Sequence, residues 1–405
     1  MLYELHEWHH ALIEPWHALA RTNHELFSHP FSPLSYHPLA DRVAASADLM
    51  QRLTRRYEKP TFRLNRTVIR GAEVAVSECA VLEKPFCTLL HFERAAQRSD
   101  PKVLVVAPLS GHFATLLRDT VRSLLPEHDV YLTDWADAKM VPLSEGHFHL
   151  DDYVEYVREF IRFLGPEVHV ISVCQPTVPV LAAVSLMAAA NDPVWPRTMV
   201  MMGGPIDARR SPTAVNGLAT RKPLVWFERA LIQRVPAKYP GFMRRVYPGF
   251  LQWLGFVGMN SARHADAHWD YFHHLVEGDG ESAAAHRRFY DEYNATLDLP
   301  AEYYLETIRT VFKEFELPLG RWHVRGKLVN PAAISRTALL TIEGELDDIS
   351  GFGQTEAAHA LCVNIPARRR EHYLVPNVGH YGIFSGRTWR ETIAPRVGKF
   401  IRRHA

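Results

Sequence analysis

The chain has 405 residues, enough for one large α/β domain with a sizeable insertion and poorly suited to a string of small modules. Its composition, 47% hydrophobic and 22% charged with a formal net charge of +1, is that of an ordinary globular protein and excludes a general electrostatic pull towards nucleic acid or anionic lipid. Four cysteines (Cys79, Cys87, Cys174, Cys362) at irregular spacing form neither a disulfide framework nor a thiolate zinc site, and read as reduced thiols of a cytoplasmic protein.

The N-terminus, MLYELHEWHHALIEPWHALA, lacks the basic segment and apolar run of a secretory signal. No stretch approaches the roughly 18 uninterrupted apolar residues of a spanning helix. Apolar residues at three- and four-residue spacing predict helices over most of residues 1–60, broken into pieces by Pro15, Pro30, Pro33 and Pro38. The Leu and aromatic stripe of this extension is expected to be a packing face.

Residues 73–92 hold two strand-like runs joined near Lys84-Pro85, which suits an antiparallel hairpin at a sheet edge. The pattern then alternates. KVLVVAPLS (102–110) predicts a strand covered on both faces, followed by a helix over about 112–125. HDVYLTDW (128–135) repeats the strand, with a helix over about 149–164. EVHVISVC (167–174) is the next strand, QPTVPVLAAVSLMAAA the next helix, and TMVMMGGPI (198–206) the strand after it.

The rhythm stops near residue 207 and resumes at TALLTIEGE (337–345), with a helix near 353–362, a strand at EHYLVPN (371–377) and a terminal helix. The intervening block is mostly helical and rich in aromatics, among them Trp226, Phe227, Trp253, Trp269, Tyr271, Phe272, Tyr303 and Tyr304. Most of these are expected to fill a helical core and a minority to meet substrate. The whole predicts an α/β-hydrolase fold: a doubly wound, mostly parallel sheet with a helical cap and an N-terminal helical extension. The expected parts are an extension at 1–72, a core at 73–206 and 333–405, and a cap or lid at 207–332.

A strand, a sharp turn and a helix meet at His169-Val-Ile-Ser-Val-Cys174-Gln-Pro-Thr, which is the setting of a nucleophile elbow with Cys174 at its tip. A thiol there is favoured as its anion by the following helix N-terminus. The oxyanion donors are then expected to be the backbone N–H of Gln175 and one from the loop Pro108-Leu-Ser-Gly-His, with Ser110 preferred and Gly111 next. In this fold the acid and the histidine follow just past later strands. Asp347, in G-x-x-D spacing from Gly344, and His380 after the last strand fill those places. Asp348 competes with Asp347, but is expected to cap a helix or face solvent.

The histidine pairs His9-His10, His147-x-His149 and His273-His274 lack the spacing of a helical metal motif, so no metal or other cofactor is expected.

The segments APLSGHFATLLRDTV, VHVISVCQPTVPVLAAVSLMA, MMGGPIDARRSPTAVN, IEGELDDISGFGQT and VPNVGHYGIFSGRTW resemble those of the intracellular polyhydroxybutyrate depolymerases, over nearly the whole chain. The resemblance implies Cys174 as nucleophile, Asp347 as acid and His380 as base. It implies hydrolysis of amorphous poly(3-hydroxybutyrate) storage granules in the cytoplasm to 3-hydroxybutyrate or its oligomers. A thioester acyl-enzyme can be resolved by water or by coenzyme A, and both acceptors stay open at this point, as does homo-oligomerisation. The alternatives are a small-molecule esterase or thioesterase, a catalytically silent granule-binding protein, and a polymer synthase, against which Ser172 and Pro176 stand where that family has glycines.

Overall fold

The computed structural model describes residues 2–259 and 261–405. Nine strands form the main sheet: β1 (Arg66–Ile69), β2 (Ala72–Lys84), β3 (Cys87–Arg94), β4 (Lys102–Val106), β5 (Asp129–Trp135), β6 (His169–Val173), β7 (Thr198–Met202), β8 (Ala338–Gly344) and β9 (Arg370–Val375). Their spatial order is β1-β2-β3-β5-β4-β6-β7-β8-β9. The first three are antiparallel to their neighbours and the other six run parallel.

Every residue of β6, β7 and β8 is buried, because helices cover both faces of the sheet there. Between β4 and β5 stands α3 (Arg118–Leu124), after β5 comes α4 (Leu150–Leu164), and after β6 comes α5 (Thr177–Ala189). The first eleven residues of α5 are all buried, so its apolar sequence has no solvent face to mark. The register pairs Val106 with Ser172 and Val173 with Met202, which brings the carboxyl ends of β4, β6 and β7 level with one another. Ligand sites in open α/β sheets form outside those ends.

The helix expected over 112–125 is regular only in α3, preceded by a 3-10 turn at Ala114–Leu117. Near 353–362 the expected helix shrinks to Ala358–Leu361, because the preceding turn is held by a buried side chain described below. Residues 66–69, assigned from the sequence to the helical extension, instead form β1 at the sheet edge.

The extension is a helical hairpin of α1 (Leu2–Ser28) and α2 (Ala40–Thr54). Pro15 does not break α1; Ala11, whose carbonyl loses its helical partner, is exposed to water. The breaks fall at Pro30, Pro33 and Pro38. The apolar stripe is not a packing face either. Trp8 and Leu12 are each 72% exposed and Leu5, Trp16 and Leu19 more than half, while Tyr3, His6, His10, Ile13, His17 and Ala20 face inward.

Between β7 and β8 lie α6 (Ala214–Arg221), α7 (Leu224–Leu231), α8 (Gly249–Met259), α9 (Ser261–Glu277), α10 (Gly280–Tyr293) and α11 (Ala301–Thr307). A small three-stranded sheet of residues 233–234, 245–247 and 299–300 joins them. The hairpin is fastened to this block: Tyr3 donates to Asp298 at 2.7 Å, Glu7 pairs with Lys238, and Arg52 pairs with Asp291 at 2.6 Å. Of the aromatics singled out in the sequence, only Trp269 is exposed.

Among the described residues, no helix is long and apolar enough to cross a membrane, and no group of three or more His, Cys, Asp or Glu side chains could hold a metal ion.

Candidate active site

The turn after β6 places Cys174 in the left-handed region, at φ +68°, which a non-glycine residue adopts only when its surroundings impose it. Those surroundings are visible. Cys174 N–H donates to Met202 O at 2.7 Å and Cys174 O accepts from Thr177 N–H at 3.1 Å. Ser172 is fully buried and its hydroxyl donates to Val200 O. Pro176 takes helical angles (φ −55°, ψ −18°) and starts α5. The close approach that elbows accommodate with a small residue is met here from the other side. A β-carbon at Gly204 would fall 1.8 Å from Thr177 Oγ1 and 2.5 Å from Cys174 O.

His380 stands in the loop after β9 and Asp347 in the loop after β8. His380 Nδ1 donates to Asp347 Oδ2 at 2.7 Å, and both side chains are almost wholly buried. The other oxygen, Asp347 Oδ1, accepts from the backbone N–H of Ile349 and Ser350 at 2.9 and 2.8 Å. The carboxylate is therefore aimed by its own turn, and the imidazole by the carboxylate. The Cys174 thiol lies within electrostatic reach of His380. Burial works against the imidazolium, but the adjacent Cys174 and Asp347 outweigh it and raise the His380 pKa well above its ordinary value. Asp348 is exposed. The structure thus brings Asp347 to His380.

The segment after the acid loop is held by a buried side chain that no motif announces. Glu343, buried in β8, accepts from the backbone N–H groups of Thr355 (2.6 Å), Glu356 (2.9 Å) and Gly353 (2.8 Å). Thr355 in turn bonds both N–H and C=O of Gly204. A charged residue inside an otherwise uncharged strand was the available signal.

Ser110 and Gly111 lie in the loop after β4. Ala107 O, at the root of this loop, accepts from Trp135 Nε1 (2.8 Å) and from the Tyr153 hydroxyl (3.1 Å). Gly111 O accepts from Leu297 N–H at 2.8 Å, which ties the loop to the block between β7 and β8. Gly111 has φ +119°, and a β-carbon there would come within 2.6 Å of Gln252 Oε1. The backbone N–H groups of Ser110, Gly111 and Gln175 donate to no other described residue, as free oxyanion donors require.

The block between β7 and β8 packs against this arrangement. From α10, Phe289 and Tyr293 reach Tyr381, the neighbour of His380, each with ring centroids 6.3 Å apart. From α11, Tyr303 stacks on Tyr153 at 5.7 Å and its phenol lies in the electrostatic reach of Cys174. Tyr303 and Gly204 carry no motif that singles them out as neighbours of the elbow.

Residues 203–405 match the family model described as PHB de-polymerase C-terminus. The chain belongs to this family. The PHB depolymerase family chain is accordingly a carboxylic ester hydrolase by class, on an α/β-hydrolase fold. It matches no curated protein. Among solved structures it is similar to a putative lipase from Acinetobacter baumannii AYE (12% identity, TM-score 0.44, covering 81% of this chain and 93% of that one). It is also similar to a monoacylglycerol lipase of Paleococcus ferrophilus (11%, 0.45, 82% and 100%) and to a 2-hydroxy-6-oxo-6-phenylhexa-2,4-dienoate hydrolase of Rhodococcus sp. strain RHA1 (11%, 0.42, 81% and 99%).

Proposed function

We propose that the chain hydrolyses the ester bonds of amorphous poly(3-hydroxybutyrate) with Cys174 as nucleophile, His380 as general base and acid, and Asp347 as the group that orients His380. The observation that carries this reading is the bond of 2.7 Å between His380 Nδ1 and Asp347 Oδ2, two almost wholly buried side chains.

The Cys174 sulfur, having given its proton to His380, attacks an ester carbonyl carbon. The carbonyl oxygen takes the negative charge and is held by the N–H groups of Gln175 and Ser110, with Gly111 adjacent. Collapse expels the alkoxide of the neighbouring unit, which takes the proton from His380 and leaves as a hydroxyl. The acyl group remains as a thioester on Cys174. His380 then removes a proton from water, the hydroxide attacks the thioester carbon, and collapse breaks the C–S bond, releasing the carboxylic acid while the Cys174 sulfur takes the proton back from His380.

Cytoplasmic granules of the polymer are the proposed location. The exposed apolar face of α1 supports adsorption to such a surface, since Leu5, Trp8, Leu12, Trp16 and Leu19 lie along one side of a helix attached to the cap. Residues 207–332 act in this reading as the lid.

Product analysis on amorphous polymer tests the proposal. Parent protein should release 3-hydroxybutyrate or its oligomers and Cys174→Ala should release none. Parallel reactions with coenzyme A distinguish water from a thiol as acceptor. Brisk hydrolysis of short soluble esters without release from polymer would move the reading to a small-molecule esterase.

A further inference from the structure

We propose that Gln175, Tyr303 and Thr307 form an acyl-side subsite that holds an oxygen on the third carbon of the acyl group, so that 3-oxygenated acyl groups are selected over plain ones. The inference rests on Cys174 being the nucleophile.

Three side chains beside the elbow carry polar atoms with no hydrogen-bond partner among the described residues: both amide atoms of Gln175, the Tyr303 hydroxyl and Thr307 Oγ1. Gln175 is 6% exposed, Tyr303 1% and Thr307 7%. Buried polar groups in folded proteins are otherwise paired, since leaving them unpaired forfeits their hydration without return. One orphan is unremarkable, but here the Tyr303 phenol lies close to Cys174, Thr307 and Gln175 without meeting bonding geometry with either of the latter two.

The cluster is fixed in place. Tyr303 N–H donates to Phe148 O at 3.1 Å, and its ring stacks against Tyr153 at an interplanar angle of 14°. Burial keeps the phenol protonated, so it is a donor at working pH. Thr307 follows one turn later on α11, and Gln175 directly follows the nucleophile. A preformed set of donors (Tyr303 O–H, Thr307 O–H, Gln175 N–H) and one amide acceptor therefore adjoins the sulfur that would carry the acyl group.

The acyl group of a 3-hydroxyacid polymer has its only further heteroatom on the third carbon, two bonds beyond the carbonyl carbon. When the carbonyl is bonded to Cys174, that oxygen is within a side chain's reach of the sulfur. It is a hydroxyl at a chain end and an ester oxygen within the chain. Sites with buried groups dedicated to a substrate oxygen discriminate strongly against the analogue that lacks it.

The test compares 4-nitrophenyl esters of butyrate, 3-hydroxybutyrate and 3-acetoxybutyrate, which share a leaving group, in the parent, Tyr303→Phe, Thr307→Val and Cys174→Ala proteins. The parent should prefer a 3-oxygenated ester over butyrate in kcat/KM by about tenfold or more. That ratio should collapse towards one in Tyr303→Phe or Thr307→Val. Preference for the hydroxy ester alone marks a free chain end as the ligand, and preference for both marks an internal ester oxygen as well. A parent ratio near one, or variants that slow all three esters in proportion, overturns the subsite. If Cys174→Ala retains hydrolysis, it is the nucleophile assignment that fails. If Cys174→Ala is inactive and the ratios do not move, only the subsite falls.

Discussion

Gly203 lies directly against His380: a β-carbon on Gly203 would stand 3.2 Å from His380 Cε1, and 3.3 Å from Asp347 Oδ2. The residue has φ +55° and follows β7, so the strand that backs the elbow also sets how deep the histidine sits. Gly203→Ala should strain the backbone by about 1–2 kcal/mol. Its methyl would also meet Ile383 Cδ1 at 2.6 Å, and Ile383 is fully buried, so the push passes into the His380 turn. The expected result is a fall in kcat of about tenfold or more, with a drop in Tm of a few degrees. A lowered Tm with kcat unchanged would show that His380 is not held by this contact.

The two adjacent aspartates provide a sharper comparison. Asp347 accepts from His380 and from two backbone N–H groups, whereas Asp348 is exposed. Asp347→Asn keeps the volume but reverses a hydrogen-bond role, and should lower kcat by about 10²- to 10⁴-fold, the lower end applying because a thiol ionises more readily than a hydroxyl. Asp348→Asn should change kcat by about a factor of two at most. Equal effects of the two substitutions on ester turnover would remove Asp347 from its assigned place.

The proposed places of Cys174 and Asp347 were legible in the sequence because each stands just past a strand, β6 or β8, whose apolar run announces itself locally, and that of His380 because it follows the last strand, β9. In β4, β6 and β8 local preference and tertiary burial agree. Tyr303 was not legible, since its position beside Cys174 depends on how α11 packs on α4, and no spacing in the chain encodes that. β1 was missed because RTVI is short and alternates in burial at an edge, although the Arg70-Gly71 turn, with both residues at positive φ, was a usable sign. The stripe on α1 was seen as helical, but periodicity cannot say which face meets solvent. The inward face is built instead from Tyr3, Ala20 and histidines, one of which, His6, stacks on Phe250 at 4.0 Å.

Histidines between α9 and α10 should make the cap sensitive to acid. His286 stacks on Tyr271 at 4.1 Å, and neither ring nitrogen has a partner among the described residues. Burial first, then His268, Arg52, His274 and Arg287, push its pKa down from 6.5 to about 3. His268 is lowered for the same reasons, by burial, His264 and Arg52. Because the folded pKa is depressed, the unfolded chain takes up the proton first. Their contribution is intact above about 6.5 and is lost as pH falls towards about 3. Tm should therefore decline between pH 7 and pH 5, and His286→Phe, which keeps the aromatic stack, should flatten that decline. An identical slope in parent and variant would mean that these imidazoles do not carry the effect.

The outer face of α1 leads to the remaining prediction. Trp8 and Leu12 are each 72% exposed and Trp16 is 61% exposed, on a helix anchored to the cap through Tyr3, Glu7 and the neighbouring α2. This hairpin carries acidic and basic residues in near balance (Glu4, Glu7, Glu14, Glu25, Asp41 and Asp48 against Arg21, Arg42, Arg52, Arg55 and Arg56), which suits an uncharged polyester better than an anionic membrane. Full burial of one such side chain contributes about 1.5–3 kcal/mol. Even at partial burial, the triple variant Trp8→Ser, Leu12→Ser, Trp16→Ser should bind amorphous polymer particles about tenfold or more weakly, and its rate on polymer should fall relative to its rate on a soluble ester. Sedimentation with the particles reads the first quantity, and paired assays the second. Size-exclusion chromatography supplies the opposing outcome: a parent that dimerises, a variant that is monomeric, and undiminished polymer binding would make this face a contact between two copies of the chain.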